Sequence, residues 1–242
     1  MLRIISFFLL GWVSAWPVLA APGDAAVLQA RQAYAARQIA SLERAARQVP
    51  ADHVLSPTVE YRRLMLTSRD DDARIADFLS RYPGSLMAEG LRADWLKTLG
   101  TRTDWSLYLA EYPRLVKPDA AHQCYAHRAE WALGNRSHQR EAVSLWFTGR
   151  DMPSACTPLF TQLMEAGLIR EEDVWRRIRL ALEAGNPHVA KVVANSLPET
   201  QRPAGALFDQ ATRDPARLLN ADNRLDFSRR GDREIALYAL EQ

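Results

Sequence analysis

A chain of 242 residues, 48% hydrophobic and 25% charged, has the composition of a globular protein with room for one large core or two smaller ones. A net charge of +2 is too small for a nucleic-acid binder, which needs a clustered basic face, so no nucleic-acid partner is expected. All but three of the 31 basic residues are arginine (the lysines are Lys97, Lys117 and Lys191); the planar guanidinium suits carboxylate partners, although genome base composition also produces such a bias.

Arg3 precedes a mostly apolar run, Ile4 to Val13, followed by Val18-Leu19-Ala20. A basic start, a short apolar stretch and compact residues before the cut predict a signal peptide over residues 1–20, cleaved after Ala20. The apolar run is short for a membrane span and Pro17 lies near its end, which argues against an anchor. No cysteine follows the cut, so the mature part, residues 21–242, is expected in the periplasm without a membrane or lipid anchor.

The mature part opens with Leu28, Ala35, Ile39, Leu42, Ala46 and Val49 on one helical face, interrupted by Gln32. With Asp24 as cap and Pro50 as stop, one long helix packed on its successor is predicted. The pattern then repeats. Phe78-Leu79-Ser80-Arg81-Tyr82-Pro83 is echoed thirty positions on by Tyr108-Leu109-Ala110-Glu111-Tyr112-Pro113. Ala93-Asp94-Trp95 with a turn at Leu99-Gly100 is matched by Ala129-Glu130-Trp131 with Leu133-Gly134, and further glycine turns follow at Ala166-Gly167 and Ala184-Gly185-Asn186. No run of β-branched residues alternates with polar ones. The prediction is an all-α fold, an α-solenoid or superhelix of helix-turn-helix repeats, in which each thin hairpin buries its apolar face on its neighbours. Leu197 to Gly205 reads as a connection between helices.

Within this frame Trp95, Trp105, Trp131, Trp146 and Trp175 read as packing residues, and each could instead offer a face to a sugar ring. Asp70-Asp71-Asp72 and Glu171-Glu172-Asp173 read as acidic helix starts favoured by the helix dipole, and not as a glycosidase pair, which is set across a cleft. In an oxidising compartment the even pair Cys124 and Cys156 points to a disulfide, for which chain entropy gives roughly 3–4 kcal/mol. A metal reading has His122 and His127 flanking Cys124, without a second element at ligand spacing. A cysteine nucleophile would need a base and an electropositive pocket, to which nothing points. There is no glycine-rich phosphate loop, no His-Glu-x-x-His and no Gly-x-Ser-x-Gly, and no cofactor or metal is expected.

Several phrases recur together in one known family. They are Val59-Glu60-Tyr61-Arg62, Asp104-Trp105, Cys124-Tyr125-Ala126 with Trp131 and Gly134, and Leu145-Trp146-Phe147-Thr148-Gly149. Pro153-Ser154-Ala155-Cys156 with Leu159-Phe160, and Arg177-Ile178-Arg179-Leu180-Ala181-Leu182 with Ala184-Gly185-Asn186, complete the set. In order and spacing the chain from about Leu55 to Ala194 resembles the N-terminal superhelical region of soluble lytic murein transglycosylases. In the stretch from Leu145 to Phe160, Gly149 is expected to end a helix and Pro153 to turn the chain.

The resemblance implies a U-shaped or ring-like superhelix beside a lysozyme-like catalytic domain. The family cleaves the β-1,4 bond between N-acetylmuramic acid and N-acetylglucosamine in peptidoglycan; one Glu acts as acid then base, and a 1,6-anhydro product forms. Its catalytic marks are Glu-Ser, Gly-Leu-(Met/Leu)-Gln and Ala-Tyr-Asn-Ala-Gly, and none occurs here. Glu141, Glu165 and Glu183 match none of them, so no catalytic residue is assigned. The sequence stops at Ile235 to Gln242, inside an amphipathic pattern, which is expected of a truncated product without the catalytic domain. The expected role is a non-catalytic scaffold that positions peptidoglycan through arginines on stem-peptide carboxylates; the other reading is a free-standing periplasmic helical-repeat adaptor for protein partners.

Overall fold

In the computed structural model of the chain, residues 21–67, 71–220 and 225–242 are described; the leader and Asp70 lie outside them. The described residues form fourteen α-helices and two 3-10 turns without a strand, so the fold is all-α. They divide into two compact units, the first ending at Phe78 and the second spanning Leu79–Gln242.

The first unit holds α1 (Asp24–Ala35), α2 (Ile39–Ala46), α3 (Ser56–Thr67) and most of α4 (Asp72–Arg81). The single long opening helix does not form. Arg37 adopts left-handed backbone (φ 53°), and the Arg37 and Gln38 N–H groups close on the Tyr34 and Ala33 carbonyls. That is a Schellman stop, at a position where a side chain is normally strained. The turn changes which face is inside: Leu28 and Ile39 are exposed, while Val27, Ala30, Ala33, Leu42, Ala45 and Val59 form the core. Gly23, not Asp24, caps α1. The Arg63 guanidinium grips Glu43 through two bonds (2.9 and 2.7 Å), tying α3 to α2.

The second unit continues with α5 (Leu86–Arg102), α6 (Trp105–Glu111), a 3-10 turn at Tyr112–Arg114, α7 (Ala120–Ala132) and α8 (Gln139–Ser144). A second 3-10 turn, Ser154–Cys156, leads into α9 (Thr157–Glu165), α10 (Glu171–Glu183), α11 (Pro187–Ala194), α12 (Gly205–Arg213), α13 (Pro215–Leu218) and α14 (Arg230–Leu240). Packing runs between near neighbours in the chain: α5 on α6 and α7, α7 on α8 and α9, α10 on α11, α11 on α12, and α12 on α13 and α14. This is the stacking of helix-turn-helix repeats.

The hairpin turns share one chemistry. Gly134, Gly167 and Gly185 have positive φ, and the same paired bonds to the preceding helix recur at each. The fourth such stop in this unit is Thr103 (φ 62°), three residues beyond the predicted turn at Gly100. Gly100 is buried inside α5, where a Cβ would lie 2.4 Å from the Tyr125 ring. It is small so that α7 can approach, not so that the chain can turn. Tyr108 is fully buried, and its hydroxyl donates to the His122 carbonyl (2.7 Å).

Asp119 caps α7: its carboxylate accepts the His122 N–H (3.0 Å) and pairs with the Lys97 ammonium (2.8 Å). Burial opposes the charge, but the Lys97 and His122 contacts outweigh it and hold the carboxyl at about 2. A folded value below the unfolded one, about 3.9, means that this stabilisation is present above that pH and fades as pH falls toward 2. In urea melts, Asp119→Asn should therefore be less stable than wild type at pH 5, with the gap closing at pH near 2. A gap independent of pH would reject the assignment.

Candidate functional site

The phrase from Leu145 to Phe160 is where the family-like residues converge. After α8 the chain runs through an irregular loop to Pro153 and then into the 3-10 turn and α9. Gly149 does not end a helix. It presses on α10, where a Cβ would lie 2.2 Å from the Leu180 carbonyl oxygen, and its own carbonyl accepts from the Asn186 amide (2.9 Å). Cys156 is joined to Cys124 of α7, with Cα atoms 5.0 Å apart and both side chains fully buried. Leu159 and Phe160 enter the core. The loop is thus held at three points: by the disulfide, by Gly149 against α10, and by Trp146, whose indole N–H donates to the Asp173 carbonyl (2.9 Å).

The metal alternative loses its donors here. The sulfur of Cys124 is bonded to sulfur. His122 is buried, its Nε2 donating to the Ala93 carbonyl (2.9 Å) and its Nδ1 facing the Asp119 cap, while His127 faces Glu130 (3.2 Å).

The tryptophans separate into two groups. Trp95, Trp146 and Trp175 are buried, whereas Trp105 and Trp131 are half-buried. In four of the five, a guanidinium group lies over one face of the ring. Arg128 lies over Trp105 (5.2 Å), Arg136 over Trp131 (4.2 Å), Arg177 over Trp146 (4.3 Å) and Arg230 over Trp175 (5.0 Å). Each such contact adds cation–π attraction, about 0.5–1 kcal/mol where exposed and more where dry. Arg230 and two further arginines are also committed to carboxylates: Arg92 to Glu111, and Arg179 and Arg230 to Glu172 and Glu234 of α10 and α14. The acidic start of α10 therefore serves as one side of an ion-pair clasp.

Arg177 stands apart and was not singled out by sequence pattern. It is 5% exposed on the apolar stripe of α10, with Val174, Ile178 and Ala181. Its guanidinium lies in the corner of the edge-to-face pair Trp146 and Phe160, whose rings are 5.1 Å apart. Burial lowers its pKa to about 10, against the pull of Asp151, so it keeps its charge at neutral pH. The available signal was an arginine at a helix position whose i−3 and i+4 neighbours are both apolar. Arg176, next to it, covers Phe147 of the same loop (4.5 Å).

No family model matches the chain. It is 32% identical over 197 residues to a soluble lytic murein transglycosylase of Salmonella typhimurium, covering 79% of this chain and 30% of that protein. It is 31% identical over 189 residues to the protein of the same name from Escherichia coli K12, covering 76% and 28%. Among solved structures, the 70-kDa soluble lytic transglycosylase in complex with bulgecin A superposes with a TM-score of 0.69 at 25% identity, over 90% of this chain and 35% of that one. An inactive mutant of a lytic transglycosylase from Pseudomonas aeruginosa gives 0.67 at 26% identity, over 89% and 35%. The chain thus spans about a third of the length of the relatives it matches.

Proposed function

We propose that this chain, a homologue of the soluble lytic murein transglycosylases across 30% of their length, is an exported helical scaffold that positions peptidoglycan in the periplasm without itself cleaving it. What supports the reading most is that a sequence match over 197 residues coincides with a helical stack that superposes on a solved lytic transglycosylase with a TM-score of 0.69. Gly149, Trp146, Cys156 and Asn186 are required by packing, so the shared phrase is a scaffold signature and not a catalytic one. Glu141, Glu165 and Glu183 each lie on a separate helix, and none is assigned a catalytic part in this reading. Contact with peptidoglycan is led by arginines on stem-peptide carboxylates, where a bidentate charge-assisted bond is strongest.

Two measurements test this. In pull-down with insoluble peptidoglycan the chain should be retained at low salt and released as salt rises, because exposed charge pairs are screened within about 10 Å at 0.1 M. Retention indifferent to salt would reject an arginine-led contact. In zymography on murein this chain should give no clearing, and release of anhydromuropeptides would overturn the non-catalytic assignment.

A further inference from the structure

Arg177 carries a charge that the protein itself does not match. Among the described residues no carboxylate oxygen pairs with it, and its Nε, fully buried, has no acceptor. Its terminal nitrogens make no hydrogen bond to any described residue and are not fully buried, so they account for the small exposure that Arg177 retains. The other strongly buried arginine, Arg92, is paired with Glu111. On the same helix Arg179 has both Glu172 and Glu234. The ring faces of Trp146 and Phe160 offset part of the desolvation of the Arg177 cation but cannot accept its N–H groups along the plane of the fork. Asp151 is the acidic group nearest in effect, yet it is exposed and its Oδ1 accepts the Met152 N–H (2.9 Å).

We propose that Arg177 is the floor of a binding site for the carboxylate end group of a peptide. The geometry selects that chemistry over a phosphate. A single guanidinium, walled on one face by the Trp146 ring, leaves only its planar edge for a flat group of one charge. Phosphate sites instead gather several donors, commonly the N–H groups of a helix N-terminus, and Arg177 lies in the middle of α10. The apolar walls suit a carboxylate borne on a small side chain such as alanine. Arg176, stacked on Phe147, adds a second positive charge beside the same loop. The site stands on this geometry alone; only its natural source, the peptide stems of murein, rests on the proposed function.

The test uses the full chain and the side-chain Nε–H resonance of Arg177, titrated with N-acetyl-D-alanine, N-acetyl-L-alanine and the methyl ester of the D-form. Both acids should shift the resonance saturably, the D-form at lower concentration because stem peptides end in D-residues, and the ester should not. Arg177→Met should weaken binding by about tenfold or more, and Arg177→Lys, which keeps charge but loses the fork, by less. No shift by either acid in the wild-type protein, or an equal shift by the ester, overturns the site whether or not the variants fold. Tighter binding of the L-form keeps the site and overturns its murein source, an outcome independent of the peptidoglycan pull-down.

Discussion

The variant C124A/C156A is expected to lose about 3–4 kcal/mol of stability in the second unit, because the bridge closes a loop whose ends are 32 residues apart. Most of that loss comes from the unfolded chain, which regains the freedom that the cross-link removes. Both cysteines are fully buried between α7 and the turn before α9, so the folded packing is otherwise retained. Denaturant unfolding followed by tryptophan fluorescence should show the midpoint fall, and wild-type protein under strong reductant should match the variant. A loss under about 1 kcal/mol would mean that the link does not restrain the unfolded chain as argued. Equal stability of reduced and oxidised wild type would carry the same meaning.

Trp146→Ala should cost about 3–5 kcal/mol, the usual range for removing a large buried aromatic. Trp146 is 3% exposed and holds three neighbours at once: the Phe160 ring, the Asp173 carbonyl and the Arg177 guanidinium. The substitution therefore leaves a cavity, removes the indole bond to the Asp173 carbonyl and leaves a buried cation without its ring. Trp146→Phe separates these effects, since it keeps most of the packing and loses the bond to Asp173, for about 1 kcal/mol. Trp131→Ala is the comparison. That ring is half-buried under Arg136, and its loss should be clearly smaller in the same denaturant series. Equal losses for Trp131 and Trp146 would remove the distinction between covering aromatics and core aromatics.

The glycine turns and the helical class were legible because they depend on local backbone chemistry. Gly134, Gly167 and Gly185 sit at positive φ after apolar stretches, where glycine is the ordinary residue. The two stops that pattern reading missed, Arg37 and Thr103, use the same hydrogen bonds with residues that give no such signal. For that reason α1 and α2 looked like one helix, and a face through Leu28 and Ile39 looked buried. The arginine excess was also only half legible. Composition suggested carboxylate partners, but which arginines would be committed to Glu111, Glu172 or Glu234 depends on neighbours far along the chain. Arg177, in plain view within a family-like phrase, had its meaning hidden because an arginine on an apolar stripe is informative only once its partners are known.

By itself the sequence determined the all-α class, most hairpin turns, the candidate cysteine pair and the resemblance to one enzyme family, since periodicity, turn residues and ordered phrases act over short stretches. Only tertiary structure decided that Gly100 and Gly149 serve close approach, that four tryptophan rings each carry a guanidinium on one face, and that one buried arginine has no carboxylate among the described residues. Those outcomes are set by contacts across 27 residues, as from Trp146 to Asp173, or 58, as from Arg230 to Glu172. A local pattern specifies how a helix begins and ends; which charge or ring it meets is settled only when the helices stack.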